Sequence, residues 1–264
     1  MKLDNCSAVI TGASAGIGRE FARQLCARAQ RIVLVARRRD RLEELRLELL
    51  TRNPRLQVEI QLADLSCLER VMELGADVLK DNPVDFLINN AGLGDYGPIA
   101  TAERRRLNEM IQVNVLALTA LTRVLLPEMI AQKRGAILNV SSSAGFLPIP
   151  GFAVYAATKA YVTSFSEALR AEVRGSGISV CALCPGPVQT EFMAVAAQGR
   201  PRSETGPELA YVPVEKVVRA GLNGIERDKP LVIPGTIMKI GMTLARLSPT
   251  ALMRLGWRFS QRRG

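Results

Sequence analysis

The sequence predicts a single α/β domain built on a doubly wound parallel sheet, and three observations lead to that prediction. Short apolar strands alternate with longer helical segments, a pattern typical of parallel strands joined by crossover helices. A glycine-rich turn joins the first strand to the first helix. The 264 residues fit one large domain, residues 1–264, without a linker, internal repeat or low-complexity tract.

The composition narrows the chemistry that the chain can perform. It is 48% hydrophobic and 23% charged, which indicates a folded globular protein. The absence of histidine excludes Ser-His-Asp and Cys-His hydrolases and most catalytic zinc sites, so no metal site is predicted. Acid–base chemistry must therefore come from Tyr, Lys, Asp, Glu or Cys.

The net charge of +10 favours anionic partners: a phosphorylated cofactor, an acidic substrate or a membrane surface. No nucleic-acid-binding motif is present, so no nucleic acid partner is predicted. The odd count of five cysteines and a polar start without a signal peptide predict reduced thiols and a cytoplasmic protein. Cys181 and Cys184 have redox-motif spacing, but they lie in an apolar run that predicts a buried strand.

The first strand, residues 7–10, runs through a glycine-rich turn into a helix at residues 19–28. Glycines let the backbone approach a pyrophosphate, and a helix N-terminus favours its charge. A plain tight turn is the alternative. The residues predicted to contact a dinucleotide here are Gly12, Ser14, Gly16, Ile17 and Gly18.

The position after the second strand, residues 31–35, predicts the type of dinucleotide. An acid there binds the ribose hydroxyls of NAD, whereas an arginine accommodates the 2′-phosphate of NADP. The sequence has Arg37, Arg38 and Arg39, with no acid before Asp40. We therefore predict NADP rather than NAD, with Arg37 as the first phosphate ligand and Arg38 as the second. The alternative, a solvated charge run, is favoured for Arg39.

The next strands bring more residues to the same edge of the sheet. A helix at 40–50 and a strand at 56–62 lead to Asp64, predicted to meet the adenine amino group. A helix at 66–80, capped by Ser66, precedes a strand at 84–88. Because ligands bind at the carboxyl ends of parallel strands, backbone contacts with the cofactor are predicted for Leu65, Asn90, Ala91 and Gly92.

The following elements carry the candidate catalytic groups. A long apolar helix at 110–129 contains Asn114, which is predicted either to be satisfied locally or to kink the helix and hold a water chain to Lys159. A strand at 136–140 presents Ser142, and a helix at 152–174 bears Tyr155. A strand at 178–183 ends in a rigid turn suited to the nicotinamide end of a cofactor, with contacts predicted for Pro185, Gly186, Val188 and Thr190.

Tyr155 and Lys159 are four residues apart, so they share one face of their helix. A free phenol ionises near pH ~10, and a neighbouring ammonium favours the phenolate. A decrease of ~2–3 units in the pKa of Tyr155 would bring it towards the working range of a general acid–base. Ser142 would hydrogen-bond the substrate oxygen. Taken alone, the pair is more typical of a helix surface, and the rest of the chain is what favours the catalytic interpretation.

Together these motifs resemble the classical short-chain dehydrogenase/reductase family over residues 7–232. Its landmarks occur in order: TGASAGIG at 11–18, Asp64, NNAG at 89–92, Asn114, Ser142, Tyr155-x-x-x-Lys159 and PGPVQT at 185–190. The resemblance implies a Rossmann-like fold and a catalytic tetrad of Asn114, Ser142, Tyr155 and Lys159. Tyr155 would exchange a proton with the substrate oxygen, and Ser142 would orient that oxygen. Lys159 would lower the pKa of Tyr155 and hold the nicotinamide ribose. Asn114 would anchor a water relay. It also implies a homodimer or homotetramer formed through the two long helices.

The resemblance weakens after Thr190, where residues 191–212 are predicted to form a substrate lid with a helix at 191–197 and a loop at 198–208. Residues 235–264 form a basic amphipathic extension that contains no acid. Its apolar residues are Ile237, Ile240, Leu244 and Leu247, then Leu252, Leu255, Trp257 and Phe259. Such a stretch lies on an anionic membrane or packs against the lid or a neighbouring subunit, and packing is favoured.

The leading functional hypothesis is an NADP-dependent oxidoreductase acting on a lipophilic carbonyl or secondary alcohol, such as a ketoacyl chain, a steroid or a retinoid. A non-catalytic NADP-binding regulator or scaffold is the main alternative from another class. A peripheral membrane protein acting through the tail is the third.

Overall fold

The computed structural model describes residues 2–80, 82–197 and 211–247. Its described strands form one seven-stranded sheet in the order β3-β2-β1-β4-β5-β6-β7, with every neighbouring pair parallel. This confirms the doubly wound parallel sheet. The strands are β1 Ser7–Thr11, β2 Arg31–Ala36, β3 Gln57–Leu62, β4 Phe86–Asn89, β5 Gly135–Val140, β6 Ile178–Leu183 and β7 Leu231–Val232.

The strand order reverses between β1 and β4, and this is where an open α/β sheet forms its ligand crevice. Ile10 pairs with Ile88, so the residues that follow these strands emerge side by side. The helices are α1 Gly16–Leu25, α2 Arg39–Arg52, α3 Leu68–Lys80, α4 Arg104–Ile111, α5 Leu118–Ala131, α6 Ala153–Glu172, α7 Glu191–Ala197, α8 Val214–Glu226 and α9 Thr236–Leu247.

Two apolar cores lie on opposite faces of the sheet because successive strand residues point to opposite sides. On one face, Ile10 packs among buried residues of α1, α2 and α8, including Phe21, Leu45 and Val218. On the other face, Val9 packs among buried residues of α3, α5 and α6, including Leu74, Leu125 and Leu169. The carboxyl edge of the sheet lies between the two cores, and the candidate site is at this edge.

The long helix predicted at 110–129 is interrupted in the structure. A π-helical turn at Gln112–Ala117 joins α4 to α5, and Asn114 lies buried within it. The π turn lies at the position where the sequence predicts a kink. The continuous helical stretch Arg104–Ala131 is, among the described residues, long and apolar enough to cross a membrane. Core helices pass the same test, and Met110, Leu121 and Leu125 are buried inside this domain.

The prediction that Ser66 caps α3 is wrong. The helix begins at Leu68, and the Ser66 hydroxyl and backbone N–H both donate to Asp64 Oδ1, at 2.8 and 3.0 Å. Asp64 thus accepts both hydrogen bonds from Ser66 in the turn before α3. Cys181 and Cys184 lie buried at the end of β6 as free thiols, in agreement with the predicted strand.

The predicted lid is described only in part. Helix α7 is present as predicted, whereas the loop predicted at 198–208 lies outside the described residues. Helix α9 forms the first part of the C-terminal extension. The second apolar set also lies outside the described residues; its members are Leu252, Leu255, Trp257 and Phe259.

Candidate active site

The glycine-rich turn presents bare backbone at the crevice. Gly12 and Gly16 have positive φ values of 68° and 52°, which favour glycine. Ala15 precedes α1 in an extended conformation, and within the described residues no side chain caps this helix and no acid lies in its first turn. The N–H groups of the first turn are therefore available to an anion, as a bound pyrophosphate requires.

Asn90 and Thr11 lock the NNAG segment against this turn. Asn90 Nδ2 donates to the carbonyls of Thr11 and Gly12, at 2.8 and 3.3 Å. Thr11 Oγ1 accepts from the backbone N–H groups of Asn90 and Ala91, at 2.9 and 3.0 Å. The sequence analysis did not assign this role to Thr11, although its place at the end of β1 was the available signal.

Gly18 is the tightest point of this packing. A Cβ added there would lie 2.4 Å from both Asn90 Nδ2 and the Gly12 carbonyl oxygen. We expect Gly18→Ala to destabilise the fold by about 1–3 kcal/mol and to weaken dinucleotide binding, because the NNAG segment must move. The matched control is Gly241→Ala in α9, where no heavy atom of the described residues lies within 4 Å. Urea unfolding and NADPH titration measure both effects, and equal behaviour of the two variants would contradict the packing argument.

Arg38 reaches the glycine-rich turn and Arg37 does not. The Arg38 guanidinium donates to Ser14 Oγ at 3.3 and 3.4 Å and to Glu191 Oε2 at 3.1 Å. Arg37 is exposed, and its charge acts on Asp64. Burial raises the pKa of Asp64, but the hydrogen bonds from Ser66 and the charges of Arg37 and Arg105 outweigh it and leave the pKa lowered. Leu65, the next residue, is buried.

Ser142, Tyr155 and Lys159 come together as the sequence analysis predicts. Lys159 is 4% exposed, and its Nζ donates to the Val140 carbonyl at 2.8 Å and lies 5.8 Å from the Tyr155 ring centroid. Ser142 begins the short helical turn Ser143–Phe146, and its Oγ accepts from Ala144 N at 3.1 Å. Ser142 also forms a hydrogen bond with Tyr155 that favours the phenolate. The three groups thus form one cluster at the end of β5.

The expectation that Lys159 lowers the pKa of Tyr155 is not met in this structure. Burial raises the pKa of Tyr155 to about 12, with the Ser142 hydrogen bond only partly opposing it. Burial also lowers the pKa of Lys159 to about 8. The reason is that both charged forms lose their hydration in this site, and desolvation is the largest cause of each shift. At neutral pH, Tyr155 is therefore an un-ionised hydroxyl that can donate a proton.

Asn114 contacts the loop after NNAG rather than Lys159. Its Oδ1 accepts from Leu93 N at 2.8 Å, and its Nδ2 donates to the Leu93 carbonyl at 2.9 Å and to Thr158 Oγ1 at 3.0 Å. A Cβ added at Gly92 would lie 3.5 Å from Asn114 Oδ1 and 3.4 Å from Lys159 Nζ. Asn114 therefore fixes the segment formed by Gly92 and Leu93, which lies between Asn114 and Lys159. The water relay from Asn114 to Lys159 stays a prediction.

The last predicted segment, 185–190, closes the crevice from the β6 side. The Pro185 carbonyl accepts from Ser143 N at 2.8 Å, and a Cβ added at Gly16 would lie 3.1 Å from Thr190 Cγ2. The same crevice thus brings together the glycine-rich turn, the NNAG segment and this turn. Ser141 Oγ donates to the Lys159 carbonyl and shares a hydrogen bond with Thr163 Oγ1, both at 2.8 Å, so Ser141 fixes α6 against the end of β5.

Two aromatic rings pack on Tyr155 and a third packs on one of them, a cover that was not predicted from the sequence. Phe152 and Phe192 have ring centroids 5.8 and 5.3 Å from the Tyr155 ring, and Tyr96 lies 5.0 Å from Phe152. Gly94 makes room for Phe192, because an added Cβ would lie 2.7 Å from its Cζ. The cluster gives the Tyr155 ring an apolar, aromatic surrounding.

Comparisons with known proteins agree with this geometry. A sequence model of the family described as "short chain dehydrogenase" matches residues 7–201. An uncharacterized oxidoreductase from Myxococcus xanthus is 35% identical over 192 residues, 71% of this chain and 74% of that protein. The very-long-chain 3-oxoacyl-CoA reductase of Rattus norvegicus is 33% identical over 206 residues, 75% of this chain but only 65% of that protein.

Solved structures give the same result over nearly the whole chain. A short-chain dehydrogenase from Sphingobium yanoikuyae in complex with NADPH has a TM-score of 0.83 and 32% identity, covering 94% of this chain and 95% of that one. A short-chain dehydrogenase/reductase from Burkholderia phymatum in complex with NAD has a TM-score of 0.81 and 26% identity, covering 92% and 94%. The bulky-bulky ketone specific alcohol dehydrogenase from Comamonas testosteroni has a TM-score of 0.77 and 29% identity, covering 94% of both chains.

The donor groups in the crevice suit such a dinucleotide. The uncapped terminus of α1 offers N–H groups to a pyrophosphate, and Arg38 with Ser14 offers charged and neutral donors to a phosphate. Lys159 carries up to three N–H donors, one of which is directed at Val140. Fold, sequence match and donor set agree, and the chain therefore belongs to the short-chain dehydrogenase family and is a nicotinamide-dependent oxidoreductase.

Proposed function

We propose that this protein is an NADPH-dependent reductase of lipophilic ketones that works through Ser142, Tyr155 and Lys159, with Asn114 in support. The observation that carries the proposal is the cluster of Ser142, Tyr155 and Lys159 at the end of β5, with two aromatic rings packed on Tyr155. A neutral phenol at physiological pH is a proton donor, which is what reduction of a carbonyl requires. The reverse reaction, alcohol oxidation, needs the less populated phenolate.

The roles of the side chains follow from their positions. The bound nicotinamide supplies the hydride, which is the chemistry that the protein lacks. Ser142 and Tyr155 hold the substrate oxygen between two hydroxyl groups, and Tyr155 gives it a proton. The buried ammonium of Lys159 stabilises the phenolate that remains, because charge interactions are strong in a desolvated site. Asn114 and Gly92 keep the backbone beside Lys159 in place.

The aromatic cover supports a bulky, apolar substrate. Phe152 and Phe192 pack on the ring of Tyr155, and Tyr96 packs on Phe152, so the candidate site carries a large aromatic surface. The names of two relatives point the same way, since one reduces very-long-chain 3-oxoacyl-CoA and another is specific for bulky-bulky ketones. Ketoacyl, steroid-like and retinoid-like carbonyls are the first substrates to screen.

NADPH preference rests on the arginines after β2, and titration tests it. We expect the wild type to bind NADPH more tightly than NADH. We expect Arg38→Ala to weaken NADPH binding about 10- to 100-fold, because charge-assisted hydrogen bonds to a phosphate are lost. Arg37→Ala should weaken it less, since Arg37 lies towards Asp64. NADH binding should change little in either variant.

The control for this titration is Arg46→Ala, which removes an exposed arginine of α2 paired with Glu43. It changes the net charge equally and should leave both cofactors unaffected. Equal binding of NADPH and NADH by the wild type would overturn the NADP assignment and reopen the direction of the reaction.

Three further features are proposed. We propose that two or four copies assemble through α5 and α6, whose outer faces expose Tyr161 and Ile130. Helix α9 exposes Ile237, Ile240 and Leu244 at 62%, 58% and 61%, beside Lys239, which supports peripheral contact with an anionic membrane. Residues 191–212 are proposed as the substrate lid because α7 brings Phe192 against Tyr155.

A further inference from the structure

We propose that Glu191, the first residue of α7, determines cofactor selectivity by competing with the 2′-phosphate for Arg38. This inference rests on the NADPH preference proposed above. The carboxylate would lower the affinity for NADPH and leave NADH nearly unaffected, because only NADPH brings a second anion to the guanidinium. It assigns a cofactor-selecting role to the lid, a segment otherwise associated with the substrate.

The contacts that carry the proposal lie on one side of the crevice. Arg38 NH1 bonds Glu191 Oε2 at 3.1 Å, while its Nε and NH2 point at Ser14 Oγ. Arg41 NH1 lies 3.7 Å from Glu191 Oε1. One guanidinium is thus shared between the glycine-rich turn and the lid. A phosphate that binds at Ser14 meets an arginine that already holds a carboxylate.

The ion pair is suited to exchange because it is accessible to solvent. The side chains of Arg38 and Glu191 are 44% and 49% exposed. Exposed pairs of this kind contribute little net stability, so a dianionic phosphate can replace the carboxylate. Breaking the pair is therefore expected to leave the fold intact, and the effect of a Glu191 variant can be read as a binding effect.

The position of Glu191 also connects the two ends of the cofactor site. Phe192 is its neighbour in sequence and packs on the Tyr155 ring in the space left by Gly94. The Ala196 carbonyl at the other end of α7 accepts from Tyr96 N at 3.1 Å. Displacement of Glu191 by a 2′-phosphate therefore acts on the helix that covers the catalytic hydroxyl, so the adenosine end of NADPH is coupled to the substrate side.

The test uses probes that lack the nicotinamide: adenosine 2′,5′-bisphosphate and adenosine 5′-monophosphate, titrated by calorimetry into the full-length protein. We expect Glu191→Gln to tighten binding of the bisphosphate about five- to tenfold, as removal of one nearby charge predicts, and to change the monophosphate by less than twofold. Glu43→Gln, which removes an exposed carboxylate of α2, should change neither. In an Arg38→Ala background, Glu191→Gln should lose its effect, because the pair is already broken.

The outcomes separate this inference from the proposed function. If the wild type binds the bisphosphate more tightly than the monophosphate, and Glu191→Gln binds both with wild-type affinity, the role of Glu191 is overturned and the NADPH preference stands. A gain that persists undiminished in the Arg38→Ala background also overturns it, since the effect would then be general electrostatics. A wild type that binds both probes equally overturns the NADPH preference itself.

Discussion

Replacing Tyr155 with Phe is expected to lower kcat for ketone reduction by about 10²–10⁴-fold, the usual contribution of a positioned general acid. The change removes only the hydroxyl that bonds Ser142 and keeps the ring that packs against Phe152 and Phe192. The dissociation constant of NADPH and the free energy of unfolding should therefore stay close to those of the wild type. Single-turnover oxidation of bound NADPH in the presence of a ketone measures the chemical step directly.

Tyr161→Phe is the matched control for this variant. Tyr161 lies on the outer face of the same helix, 39% exposed, with its hydroxyl 3.0 Å from Thr119 Oγ1. The identical chemical change at that position should leave kcat unaffected. A Tyr155→Phe variant that reduces ketones at the wild-type rate would refute the assignment of the proton donor. A biological effect that survives in that variant would favour the non-catalytic alternative.

Replacing Lys159 with Met is expected to abolish most of the activity and yet to stabilise the free protein near neutral pH. Burial lowers the pKa of Lys159 from 10.5 to about 8, a shift that corresponds to about 3 kcal/mol of unfavourable free energy for the buried ammonium. The lost hydrogen bond to the Val140 carbonyl offsets about 1 kcal/mol. A net gain of about 2 kcal/mol at pH 7, measured by urea unfolding, is therefore expected.

This gain depends on pH in a direction that can be worked out. Between about pH 8 and 10.5, the unfolded chain keeps a proton on Lys159 that the folded protein has released. Wild-type stability therefore gains a contribution that rises with pH in this window, and Lys159→Met lacks it. The advantage of the variant should be nearly constant below pH 8 and shrink between about pH 8 and 10.5. The titrations of Cys6 and Cys181 are common to both proteins and cancel in the difference.

Lys216→Met provides the control. Lys216 is exposed on α8, so this substitution removes an ammonium that is already hydrated in the folded protein. Its stability difference from the wild type should be small at pH 7. A Lys159→Met variant that is less stable than the wild type at pH 7, or whose advantage grows with pH, would show that burial does not penalise the ammonium as described.

The sequence was sufficient for those features that local patterns determine. The apolar runs that became β1, β2 and β5 are short and bounded, so the predicted ends agree within one residue. The four-residue spacing placed Tyr155 and Lys159 on one face of α6 because a helix repeats every 3.6 residues. Their pKa values depend on burial, which spacing does not report, and that expectation was therefore wrong in direction for Tyr155.

Features that join distant parts of the chain were out of reach. Arg38 and Glu191 are separated by 153 positions, and neither belongs to a motif that predicts the other. The rings around Tyr155 come from the loop after β4, the start of α6 and the lid. The predicted Ser66 cap is wrong for a local reason, because the Ser66 hydroxyl donates to Asp64 Oδ1 instead of capping α3.

The π turn at Gln112–Ala117 restricts how this chain tolerates changes in length. Such a turn amounts to one residue more than an α-helix of the same span would hold. It allows Asn114 to face Leu93 while Leu121 and Leu125, further along, still face the core. Deleting one residue here would return the span to a regular α-helix and keep both ends of the helix in register. The core contacts of α5 would then be kept, whereas the π-turn backbone that places Asn114 against Leu93 would be lost.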